Sequence, residues 1–286
     1  MSVDQDRALL TALLEAEAMD SLALAAQARG EIGFYLPAEP TRVIPATAAS
    51  AALAPDDWIF PGPDGLGPAI VRGMPLARIA ARMLRSADDA ARGRALPGFL
   101  WSRERRIAPP SIQHGASIAQ AAGAALESAR RRGGGVVLVV AGELACATGA
   151  LEGPLTLARA HGLPLVVVLV GNVPAAKAER VVAGCALAVR DAVAHAAARA
   201  RGGEGPTVIA VEPRGPGLDR LAATFDRRAV AEARSRVTTD AAAAFELARA
   251  SGVAHDPSPL DHVTALEGAV RAAQRARLAR SRDAGG

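Results

Sequence analysis

The chain has 286 residues and a mass of 29.1 kDa; half of it is hydrophobic and only 3% is aromatic. That apolar content excludes a disordered chain, and the length allows a sizeable core. Net charge is only +4 although the pI is near 9.9; 32 Arg and one Lys stand against 29 Asp and Glu, a near balance that gives nucleic-acid binding no strong support.

From the N-terminus, Met1–Arg7 has no basic start leading into an apolar signal core, so no secretory leader is expected. Leu9, Leu10, Leu13, Leu14, Ala18 and Leu22 recur at helical spacing, which predicts a helix over Asp6–Arg29, stopped by Gly30. Glu31–Pro40 reads as loop and Ala46–Ala54 as a small-residue helix. Pro55–Gly65 is rich in Pro, Asp and Gly and reads as turns. Pro75–Ala91 reads as a helix with Pro in its first turn, Leu96–Ser111 as irregular, and Ala116–Arg132 as an Ala-rich helix.

The following stretch alternates. Val136–Val140, Leu163–Val170 and Thr207–Val211 are short continuous apolar runs, the pattern of strands buried on both faces of a parallel sheet. Helices are expected between them, at Leu151–His161 and Val182–Ala200. From about Leu218 the chain reads as helical again, ending in an Arg-rich segment from Arg271 to Arg282 that suits a solvated helix. This is an α/β pattern with a parallel sheet, expected as one domain over residues 1–286, with a helical part at 1–132, an α/β core at 133–217 and a helical extension at 218–286. No run approaches the ~20 apolar residues of a spanning helix. Cys146 and Cys185 form neither a disulfide framework nor a metal pattern, and a reduced cytoplasmic setting is expected.

Ligands of parallel sheets bind at the carboxyl ends of strands. Two strand ends carry polar groups, Gly142-Glu143-Leu144-Ala145 and Gly171-Asn172-Val173-Pro174. Glu143 and Asn172 are 29 positions apart (172 − 143), about one strand–helix–strand unit, so both can reach one edge of the sheet. A carboxylate and an amide oxygen are hard donors suited to Mg²⁺, and a nearby helix N-terminus would favour phosphate. The same spacing also suits two polar residues that merely close their strands. Asn172 is, however, the only Asn in the chain.

The Gly142-Glu143 pair followed by Asn172 resembles the diphosphate motif of thiamine diphosphate enzymes. The likeness extends through Met19-Asp20, Gly33-Phe34-Tyr35, Pro55-Asp56-Asp57-Trp58-Ile59-Phe60-Pro61, Arg72-Gly73-Met74-Pro75, Ala87-Asp88-Asp89, Gly93-Arg94 with Pro97, Gln120–Ala125 and Gly203-Glu204-Gly205-Pro206. In this order the segments resemble the α subunit of 2-oxo acid dehydrogenase E1 components, of the pyruvate and branched-chain type. The resemblance covers about residues 10–172 closely and continues more loosely to about residue 261.

The resemblance implies a parallel-sheet thiamine diphosphate-binding fold, Rossmann-like, with helices on both faces and helical N- and C-terminal extensions. It implies thiamine diphosphate and Mg²⁺ as cofactors, a β subunit as partner in an α2β2 heterotetramer, and acyl transfer from a 2-oxo acid to the lipoyl domain of an E2 acyltransferase, with no nucleic acid or membrane. Carried over by position, the metal ligands are Glu143, Asn172 and the backbone oxygen of Pro174; Gly142, Ala145 and His114 join Glu143 and Asn172 as cofactor contacts. His114 falls where an apolar residue is usual.

Other positions depart from the pattern. Leu144 replaces the second glycine of the motif, a residue whose absent side chain lets backbone approach the diphosphate. The Tyr-Arg pair that contacts the diphosphate falls on Pro63-Asp64, which reverses a charge where a bidentate clamp serves phosphate. A His falls on Phe99, the Gly-Gln-Glu segment on Pro40-Thr41-Arg42, and the long segment after Asn172 shrinks to Val173–Val181. The loop after the third strand, Val211–Asp219, keeps Arg214 and has no His. Three readings follow: an E1 α-like subunit with a partly degraded cofactor site; an inactive α-like paralogue acting as scaffold or regulator; and a module for another phosphate ligand.

Overall fold

The computed structural model describes residues 3–63, 65–113, 115–131, 135–174, 177–183, 185–212, 217–254 and 268–283. Its centre is a five-stranded, all-parallel sheet in the order β1-β2-β3-β5-β4. The strands are β1 (Trp58–Phe60), β2 (Val137–Gly142), β3 (Leu165–Val170), β4 (Arg180–Ala183) and β5 (Thr207–Glu212). The three apolar runs become β2, β3 and β5 in the middle of the sheet. Alternate residues of each serve opposite faces. Leu138, Val140, Val166, Val168 and Ile209 pack with α1 (Val3–Ala28), α2 (Pro40–Ala51), α8 (Ala186–Arg201) and α10 (Arg227–Ala250). Val137, Val139, Leu165, Val167 and Val208 pack with α5 (Ala116–Arg130) and α7 (Glu152–Ala160). Helices therefore cover both faces, as an α/β fold of this class requires.

The edge strands correct the sequence reading. Trp58-Ile59-Phe60 lies inside the stretch expected to be turns, and only three residues of it pair, with Val137, Leu138 and Val139. Residues 180–183 form β4 on β5, where the expected helix would begin; that helix, α8, starts at Ala186 instead. Two helices also differ. α2 starts at Pro40, whose fixed φ suits the first helical position. α4 (Leu76–Met83) ends eight residues before the expected Ala91, because Arg85 takes a left-handed φ of 51° and Ser86 turns to pair with Val253. Two short helices, α3 (Leu66–Val71) and α6 (Leu144–Ala147), were not expected.

Beyond the sheet, α1 packs against α10, and α10 against α4. Ion pairs reinforce this: Arg249 with Glu31 at 2.9 Å, and Arg234 with Glu17. α9 (Gly217–Ala222) and α11 (Ala269–Asp283) complete the described helices. Most of α11 is exposed, in line with its Arg-rich composition. Among the described residues no helix is long and apolar enough to cross a membrane.

Candidate cofactor site

The register of β2 on β3 pairs Gly142 with Val170, so the two strands end level. The next residues, Glu143 and Gly171, therefore face each other across the strand ends. Two backbone hydrogen bonds fix them: Glu143 N–H donates to the Val170 carbonyl at 3.1 Å, and Gly171 N–H to the Val211 carbonyl at 3.0 Å. Glu143 then opens α6. Its carboxylate turns toward β3, where Oε2 accepts the backbone N–H of Asn172. The structure thus joins Glu143 and Asn172, 29 residues apart in sequence.

Gly171 makes this contact possible, a role the sequence reading missed. A Cβ on Gly171 would stand 2.6 Å from Glu143 Oε2 and 3.0 Å from its Cβ and Cδ. The backbone φ there is +129°, in the region that favours glycine. Gly142, the glycine the motif pointed to, has open space where a Cβ would go.

The Glu143–Asn172 pair lies in the wall of a cavity of about 580 Å³ at the carboxyl ends of β1, β2 and β3. That volume is in the usual range for small-molecule sites, and the location is where parallel sheets bind ligands. The N-terminal halves of two helices contribute: α2 through Thr41 and Arg42, and α5 through Gly115 and Ser117. Ser117 is 4% exposed. Gly115 has φ +82°, and a Cβ on it would stand 2.4 Å from that of Ala150. Leu36, Ile112 and Leu144 give the cavity an apolar rim.

Of the other expected contacts, Ala145 is 1% exposed and faces from α6 into the core rather than lining the cavity. Pro174 is exposed, and its carbonyl accepts the Lys177 N–H at 2.8 Å. His114, Asp64 and Arg214 lie outside the described residues. His161 and His195 are exposed and do not line the cavity; His161 caps the end of α7, near the amino end of β3.

The donor chemistry here suits a hard cation. Among the described residues no group of three His, Cys, Asp or Glu side chains could hold a metal. Of the three ligands expected from the resemblance, Glu143 and Asn172 line the cavity and Pro174 does not; a carboxylate and an amide oxygen are donor types that suit Mg²⁺. The fit to a diphosphate is weaker. Among the described lining residues Arg42 is the one cation, and it is tied to Glu39 at 2.8 Å. Leu144, 48% exposed, occupies the wall where a glycine would leave room.

Electrostatics around the site are mild. Cys146 in α6 has its thiol pushed up, chiefly by burial and then by the nearby Glu152 carboxylate. Lys177 holds the Glu152 carboxyl below its ordinary range through a direct hydrogen bond.

Residues 11–180 match the family described as Dehydrogenase E1 component. The 3-methyl-2-oxobutanoate dehydrogenase subunit alpha of Mycobacterium tuberculosis is 29% identical over 205 residues, covering 64% of this chain and 53% of the relative. The 2-oxoisovalerate dehydrogenase subunit alpha of Pseudomonas aeruginosa is 27% identical over 175 residues, covering 61% of this chain and 42% of the relative. The chain spans about half the length of the curated relatives it matches. With more than half of its residues matched, the chain belongs to the dehydrogenase E1 component family, as a divergent α-type member.

Proposed function

We propose that the chain acts as an E1 α-type subunit that holds Mg²⁺, and through it the diphosphate of thiamine diphosphate, with a reduced set of contacts. The observation that carries this reading is the Glu143–Asn172 contact in the wall of the 580 Å³ cavity at the strand ends. Thiamine diphosphate, when bound, supplies the carbanion chemistry for decarboxylating a 2-oxo acid. The chain's own residues hold and orient. Glu143, Asn172 and Pro174 supply the oxygen donors. Ser117, Thr41 and Arg42 offer polar contacts on the facing walls, while Leu36, Ile112 and Leu144 exclude water from the mouth. A β-type subunit would close this rim in an α2β2 assembly, and a lipoyl domain of an E2 acyltransferase would receive the acyl group. The names of the relatives support a branched 2-oxo acid as substrate class. We read residues 1–286 as one such domain, working in the cytoplasm; the packing of α1 on α10 supports the single domain.

A second reading, an α-like paralogue that serves as scaffold without cofactor, is favoured by one observation. Leu144 stands in the cavity wall, and the described lining holds a single, already paired guanidinium. Calorimetric titration with thiamine diphosphate and Mg²⁺, of the chain alone and with its β-type partner, separates the two. Binding that Glu143→Ala abolishes supports the cofactor-holding subunit. No heat in either arm sinks it and leaves the scaffold.

A further inference from the structure

Lys177 is the single lysine among 286 residues, in a chain that otherwise carries its positive charge on 32 arginines. It lies on the loop after β3, five residues beyond Asn172. Its two ends bind different parts of the molecule. The backbone N–H donates to the Pro174 carbonyl at 2.8 Å. The ammonium donates to Glu152 Oε1 in the first turn of α7.

Glu152 is a firm anchor. It sits at a helix N-terminus, where a carboxylate is favoured by the backbone dipoles. α7 is itself fixed to the body by Leu155, 4% exposed, and Ala158, fully buried, in the cluster under α5. Before Glu179, whose N–H donates to the Val208 carbonyl at 3.0 Å, three contacts hold the described loop after β3 to the rest of the molecule. Gly171 is bound to Val211, Asn172 to Glu143, and Lys177 to Glu152. The first two lie at the strand ends; Lys177 is the attachment to α7 nearest Pro174, with Glu179 paired to Arg159 of α7 at 3.7 Å two residues further on.

We propose that Lys177 is a positioning residue, whose ammonium clamps the loop bearing Asn172 and Pro174 onto α7 and so keeps the Asn172 amide against the Glu143 carboxylate. Its consequence for a bound cation rests on the Mg²⁺ reading of the site given above; the clamp itself does not. The pair is half exposed, 41% and 48% at the side chains, so its removal has a modest effect, about two- to fivefold in an equilibrium constant. Both side chains lie at the surface, and their substitution leaves the core intact.

The test uses the full chain with two readouts: Mn²⁺ titration followed by the electron paramagnetic resonance of the free ion, and amide hydrogen exchange of the Asn172–Pro174 segment. Lys177→Met should weaken Mn²⁺ binding about two- to fivefold and speed exchange at the Asn172 amide. Lys177→Arg should restore both, as should the reversed pair Lys177→Glu with Glu152→Lys. Lys177→Met with parental exchange and parental Mn²⁺ affinity overturns the proposal. So does a reversed pair that behaves no better than Lys177→Met. If the parent chain binds no Mn²⁺, the cation reading fails by itself. Exchange then decides alone: faster exchange in Lys177→Met upholds the clamp, and unchanged exchange overturns it.

Discussion

The Asp57 carboxylate accepts two hydrogen bonds from the Arg201 guanidinium, 144 residues further along the chain, at 2.7 and 2.9 Å. It also accepts the Val136 N–H at 2.7 Å and the Ala54 N–H at 2.8 Å. Asp57 is 1% exposed. One side chain thus joins the entry to β1, the start of β2 and the end of α8. Asp57→Ala would orphan two backbone amides, at a cost of about 2–4 kcal/mol. Arg201→Ala leaves the buried carboxylate without its cation but with both amide donors, so it should cost less, about 1–2 kcal/mol. Urea unfolding of the two variants checks this; equal losses would refute the asymmetry.

The same residue shows what the sequence made legible. Asp57 lies in one of the segments that carry the family likeness, and so do several other internal hydrogen-bonding groups. Asp20 accepts from Tyr35 Oη at 2.8 Å and from the Ala38 N–H at 2.7 Å. Arg72 donates to the carbonyls of Ala54, Pro55 and Asp57. Asp89 holds Arg82 at 2.6 Å in a buried pair, with the guanidinium 4.4 Å from the Trp101 ring centroid. Much of the resemblance outside Glu143 and Asn172 is therefore a record of how loops are fastened to the sheet. That is why the fold could be read while the cofactor contacts had changed. The central strands were legible because burial on both faces demands unbroken apolar runs. β1 and β4 were not, since an edge strand of three or four residues leaves no periodicity to detect. At the strand ends, the 29-residue spacing placed Glu143 and Asn172 on one edge of the sheet, and the structure brings the two into contact there. The constraint on Gly171 was invisible, because it arises from a side chain brought in from another strand.

Gly171 is the sharpest test of the Glu143–Asn172 contact. In Gly171→Ala the new methyl would overlap Glu143 Oε2, 2.6 Å away, on a backbone at φ +129°. The strained backbone should cost about 1–3 kcal/mol of stability. The displaced carboxylate should reduce divalent-cation binding at least about tenfold, since a tenfold change needs only ~1.4 kcal/mol. Gly142→Ala is the control, because its Cβ would meet nothing within 4 Å. Calorimetry of both variants with Mg²⁺ reads the difference; equal affinities would show that Glu143 does not depend on the bare turn.

Leu144 is predicted to hinder the cofactor. Its side chain is 48% exposed in the cavity wall, so Leu144→Gly removes little packing and costs about 1 kcal/mol through helix propensity. Thiamine diphosphate affinity, measured by quenching of tryptophan fluorescence with Mg²⁺ present, should rise about tenfold if the wall is the obstacle, equivalent to ~1.4 kcal/mol. An unchanged affinity would assign the obstacle to the missing phosphate clamp instead.

Stability should also carry a pH signature at the α1–α10 interface. Glu15 lies on α1, where burial first and then the Asp240 carboxylate on α10 raise its pKa above the ordinary 4.5, while Arg236 partly offsets them. A carboxyl raised in the folded state stays protonated where the unfolded chain has already released its proton. Stability is therefore lost as pH climbs from 4.5 through the raised folded value, and the loss is complete above it. Glu15→Gln is neutral at every pH and escapes this loss. The variant should show a higher urea midpoint than the parent at neutral pH, and the gap should narrow as pH falls to about 4, where the parent Glu15 is itself protonated. A gap of the same size at both pH values would mean that Gln packs better than Glu, with ionisation playing no part.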